Sequence, residues 1–141
     1  MSRQFWQETL AWATANGTAV TASATETIIF PNVTIPANYL SDGRGIEVIA
    51  QGAFTVTAGT NKMRFRARLG GVAGVLIADS GLITCIASIT GAIWEVRLMI
   101  QTRTNGSTGT VFSIGNAAMY GAVAPTVGSA TGAPAFAGMG V

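Results

Sequence analysis

Few residues in this 141-residue chain can do chemistry, and their types exclude most catalytic designs before spacing is considered. There is no histidine, which removes the commonest general base, the commonest metal ligand and the usual pH switch together. A Ser-His or Cys-His nucleophile cannot be assembled, and no Gly-x-Ser-x-Gly elbow is present. The single cysteine, Cys85, lies in the apolar run Leu82-Ile83-Thr84-Cys85-Ile86-Ala87. It has no partner for an internal disulfide and is expected to be a buried, inert thiol. One Cys and no His cannot hold a structural zinc ion, so neither a metal nor a cofactor is expected.

Six carboxylates remain: Glu8, Glu26, Asp42, Glu47, Asp79 and Glu95. Two of them at the right separation would suit acid–base hydrolysis of a glycosidic bond. Asp42-Gly43 and Asp79-Ser80-Gly81, however, are turn contexts. Glu47 and Glu95 fall on the polar faces of predicted strands, where cross-strand ion pairing needs no active site. The expectation is therefore no enzyme and no small-molecule substrate. Gly70-Gly71-Val72-Ala73-Gly74 lacks the Lys-Ser/Thr of a phosphate loop and connects two predicted strands, so its glycines are turn residues. Asn16-Gly17-Thr18, Asn32-Val33-Thr34 and Asn105-Gly106-Ser107 match the glycosylation sequon. In a chain this rich in Ser and Thr, chance accounts for all three.

The basic residues form the clearest pattern. Lys62, Arg64, Arg66 and Arg68 alternate with Met63, Phe65, Ala67 and Leu69, the period of a strand with one wet and one dry face. The stripe has three readings: a solvated or paired face with Glu47 and Glu95 as counter-ions, a grip on an acidic protein partner, or a grip on a phosphate backbone. Sheets that bind nucleic acid interleave aromatics with their cations, and here Phe65 is on the opposite face. With a net charge of only +2, no nucleic-acid partner is expected.

The elements that must carry these residues read as β. Ile46, Val48, Ala50 and Phe54 alternate with Glu47, Ile49, Gln51 and Ala53, and Gly52 suggests a bulge or bend. Trp94, Val96, Leu98 and Ile100 alternate with Glu95, Arg97, Met99 and Gln101. Strands are also predicted within Gly17–Phe30, across Val33–Leu40 with a break at Pro36, over Val75–Ala78 and over Gly109–Ile114, with turns at Ser41-Asp42-Gly43 and Asn105-Gly106. Phe5, Trp6, Leu10 and Trp12 fit a short amphipathic helix over 5–12. Short strands, glycine turns and no long helical period predict an all-β, antiparallel β-sandwich with jelly-roll-like topology. Its body spans 16–121, between an N-terminal aromatic segment (1–15) and an extended Gly/Ala-rich C-terminal arm (122–141).

Only 10% of the chain is charged and 49% is hydrophobic, with 18 glycines. An ordinary soluble protein carries about 25% charge, so this surface suits a subunit covered by neighbours. The opening residues lack the apolar core of a signal peptide. The apolar run Gly70–Trp94 is interrupted by Asp79 and dense in Gly, Ser and Thr, so no membrane span is expected.

The body resembles small structural proteins of tailed bacteriophages. The resemblance rests on Val33-Thr34-Ile35-Pro36-Ala37-Asn38-Tyr39-Leu40, the Asp42-Gly43-Arg44 turn, Ile46-Glu47-Val48, Met63 to Gly71, Ala92-Ile93-Trp94-Glu95-Val96 and Gly106-Ser107-Thr108-Gly109-Thr110-Val111, together about residues 33 to 115. It implies a virion component with a jelly-roll domain, often trimeric: a capsid decoration (cement) protein that stabilises the head through contacts with phage coat subunits. The alternative is a tail or fibre surface protein that binds a host receptor or glycan. Either is made in the bacterial cytoplasm and resides on the particle, and the resemblance brings no catalytic residues. Phe5, Trp6, Trp12, Phe136 and Met139 are the expected apolar anchors into partner pockets, with Arg64, Arg66 and Arg68 as the polar part of the contact.

Overall fold

A computed structural model describes residues 7–59, 61–85, 87–106 and 109–120, and the backbone of 135–140. Among these residues every regular element is a β-strand: β1 (Gly45–Val56), β2 (Lys62–Met63), β3 (Arg66–Leu69), β4 (Val75–Asp79), β5 (Ile83–Thr84), β6 (Ile89–Thr104), β7 (Thr110–Tyr120) and β8 (Ala135–Gly140). All pairings are antiparallel. The principal sheet has the order β1-β6-β7-β8, while β2-β5 and β3-β4 are two-stranded ribbons.

The register explains which face is dry. Opposite pairs Ala50↔Val96 and Gly52↔Trp94 on β1–β6 continue through Val96↔Ala117 and Trp94↔Met119 on β6–β7. This row-by-row match lays Trp94, Val96, Leu98, Ala117 and Met119 on one face, where all are buried. Val56, Phe65, Ala78, Ile83 and Cys85 close over them to make the core. Phe65 stacks at a tilt on Trp94 with centroids 4.9 Å apart, and Phe30 meets the same indole edge-on at 6.4 Å. Ser113 Oγ donates to the Ile77 carbonyl at 2.6 Å in the interior, pinning the β3-β4 ribbon to the sheet.

Four expectations are corrected in detail. Residues 7–12 are not helical; two turns cannot repay helix nucleation without an apolar face to bury, and Trp12 is 75% exposed. Gly17–Phe30 and Val33–Leu40 form no strands. Pro31 and Pro36 cannot donate to a ladder, and Asn38 adopts φ 62° beside a turn closed by Tyr39 N–H to Pro36 O. The bulge of β1 lies between Phe54 and Val56, not at Gly52. The alternating run from Lys62 to Leu69 is split into β2 and β3 around Arg64 and Phe65. There Phe65 N–H donates to Ser80 Oγ at 2.9 Å, and Ser80 N–H donates back to Phe65 O at 3.0 Å.

Candidate interaction surface

The arginine stripe finds its counter-ions inside the chain. Arg64 Nε donates to Asp79 Oδ1 at 2.7 Å and its second nitrogen donates to Oδ2. Arg66 bridges Asp79 at 3.1 Å and Glu26 at 2.7 Å. Arg68 holds Glu26 through two nitrogens, at 2.6 and 3.1 Å, and donates to Gly74 O at 3.0 Å. These are forked, charge-assisted bonds. Hydrogen bonds from Arg68 and Arg66 hold the Glu26 carboxyl down at about 2, and Arg64 does the same for Asp79, also about 2. The acids expected in this role, Glu47 and Glu95, lie elsewhere because β1 and β6 neighbour each other and not β3. Asp79 belongs to β4, the partner of β3, and Glu26 arrives on the preceding irregular segment. The network therefore works as a clamp that fastens this segment to the ribbon.

Three further carboxylates, Glu8, Asp42 and Glu95, are also engaged. Glu8 accepts from Tyr39 Oη at 2.6 Å and from Arg44 at 3.2 Å, while the Arg44 guanidinium lies 3.7 Å over the Tyr39 ring. Asp42 accepts the Asn105 N–H at 2.7 Å, and Glu95 pairs with Arg97 on the same strand. Cys85 is buried, and burial pushes its thiol pKa up. Among the described residues no group of three or more Cys, Asp or Glu is placed to hold a metal ion, and no helix is long and apolar enough to cross a membrane.

The feature most unlike an ordinary solvated surface is the outer face of the principal sheet. Register aligns Glu47↔Met99↔Ile114, Ile49↔Arg97↔Asn116, Gln51↔Glu95↔Ala118 and Ala53↔Ile93↔Tyr120 in successive rows. Ile49 is 57% exposed, Ile93 54% and Ile114 58%, with Met99, Phe112 and Tyr120 also open. The Arg103 guanidinium lies 5.1 Å over the Phe112 ring. A shallow groove of about 320 Å³ runs between Glu47, Arg97, Met99, Ile114 and Asn116. Large exposed apolar patches are where protein contacts form; here the Gln51–Glu95 row divides Ile93 and Tyr120 from Met99 and Ile114. The few charges among them, Glu47, Glu95, Arg97 and Arg103, carry both signs.

The residues singled out from sequence do not converge. Arg64, Arg66 and Arg68 are together in the clamp, whereas Trp12 is exposed. Phe5 and Trp6 lie outside the described residues. Phe136 and Met139 fall on β8, in register with Ala118 and Gly115 of the chain's own sheet. The outer-face residues were missed, although a signal existed. Ile49 and Met99 are apolar residues in the polar phase of their strands, where a solvated sheet would carry polar groups. No family model matches the chain, and no curated protein or solved structure matches it.

Proposed function

We propose that this chain is a non-catalytic structural subunit, a decoration protein of a tailed-phage head that works by packing against neighbouring protein subunits. The observation that carries the reading is the open apolar outer face of β1-β6-β7, on a chain with only 10% charged residues. Left in water, such a face costs about 25 cal/mol for every Å² that a neighbour would cover. A symmetric shell offers many identical neighbours, so modest contacts at each site add through multivalency. The resemblance of residues 33 to 115 to tailed-phage structural proteins supplies the particle. Trimeric assembly and jelly-roll connectivity belong to the same reading, as does a location on the particle surface.

The test is the copy number of the chain in purified virions, by quantitative mass spectrometry against the coat protein. Hundreds of copies per particle are expected for a protein that covers a head. A few copies would move it to a tail or fibre, and absence from particles would overturn the reading.

A further inference from the structure

We propose that Asn105 is a self-modifying site, where the neighbouring Gly106 amide converts the side-chain amide to a carboxylate and so opposes Asp42. The Asn105-Gly106 pair lies in the hairpin between β6 and β7, and both residues are exposed. Gly106 N–H donates to Asn105 Oδ1 at 2.8 Å, so the backbone nitrogen already lies beside the side-chain amide whose carbon it attacks. Gly106 has φ +108°, a conformation that L side chains rarely adopt. Gly109 N–H donates to Gly106 O at 2.9 Å, and the Thr104 and Thr110 hydroxyls lie 2.9 Å apart where β6 ends and β7 begins.

The chemistry needs only water. Solvent base removes the Gly106 amide proton and the nitrogen attacks Cγ of Asn105. An N–Cγ bond forms, the Cγ–Nδ2 bond breaks, and ammonia leaves after taking a proton from solvent. Water then opens the five-membered imide. Cleavage at the side-chain carbonyl gives Asp, and cleavage at the backbone carbonyl gives isoaspartate. In sum, an amide and water become an acid and ammonia. The product has a consequence in this fold, because Asp42 accepts the Asn105 N–H at 2.7 Å and thereby ties the turn before β1 to the hairpin. A new carboxylate one side chain away repels Asp42 and weakens that tie.

The chain contains its own control, Asn16-Gly17. Thr18 N–H donates to Ile29 O at 2.7 Å, and a Cβ on Gly17 would meet that same oxygen at 2.3 Å. Among the described residues no hydrogen bond joins Gly17 N–H to Asn16 Oδ1, unlike the Gly106–Asn105 pair. The experiment incubates the purified full chain at mildly alkaline pH and maps both sites by mass spectrometry over time, with isoaspartyl methyltransferase labelling. Asn105 is expected to accumulate Asp and isoaspartate several-fold faster than Asn16, with the two rates converging in urea and conversion at 105 abolished by Asn105→Gln. Equal rates in the folded chain, or a stable Asn105, would overturn the proposal. For the consequence, Asn105→Asp should lower Tm at low salt relative to Asn105→Gln, and Asp42→Asn should remove that difference. A difference that persists without Asp42 would contradict the coupling.

Discussion

At the residue scale, Gly52 and Trp94 decide how the core closes. They are directly opposite on β1 and β6, and a Cβ on Gly52 would approach the indole Cζ2 to 2.6 Å. The ring cannot retreat, because Phe30 and Phe65 pack against it. Gly52→Ala should therefore destabilise the chain by about 1–3 kcal/mol, as overpacking does. Urea denaturation would show this as a lower midpoint with an unchanged slope. The glycine was legible as special, but its reason was not. A strand glycine signals either a bend or a close approach, and only the register across from Trp94 distinguishes them. Cys85 is simpler: its apolar neighbours foretold the burial, and a thiol reagent should modify it only as the chain unfolds.

At the scale of elements, β1 and β6 were readable from their alternation, whereas the equally strict run 62–69 is split around Arg64 and Phe65. β6 and β1 follow period two because one face of each meets the core. The stretch 17–40 has strand composition but forms no ladder with the sheet, and propensity alone does not make one. β8 is the converse, a Gly- and Ala-rich segment with weak strand propensity that pairs along β7. The arginine stripe was legible as a face, whereas its partners were not, since Glu26 is 42 residues from Arg68 in sequence. The clamp has a pH signature. Glu26 and Asp79 are held at about 2 in the fold, against ordinary values of 4.5 and 3.8. A lowered carboxyl pKa contributes stability that is complete above the ordinary value and is lost as pH falls through the folded value. Tm should thus fall as pH drops from about 4.5 towards 2, and Glu26→Gln should flatten part of that slope. An unchanged slope in the variant would show that the Glu26 pairs do not hold the segment in solution.

At the scale of the whole molecule, the outer face of the sheet is the surface a neighbour would cover. Met99 and Ile114 are cross-strand neighbours at its centre, so Met99→Lys with Ile114→Glu replaces an apolar pair by opposite charges directly across a ladder, a favourable exchange for an isolated sheet. The doubly substituted chain should keep its stability within about 0.5 kcal/mol, as for exposed sites, while losing any partner that needs an apolar patch. The direct measurement is sedimentation equilibrium of the original chain beside this variant over a range of concentrations. We expect the original to associate to a trimer and the variant to sediment as a folded monomer. An original chain that stays monomeric at every concentration, and binds coat subunits no better than the variant does, would contradict the claim that its outer face is a contact surface.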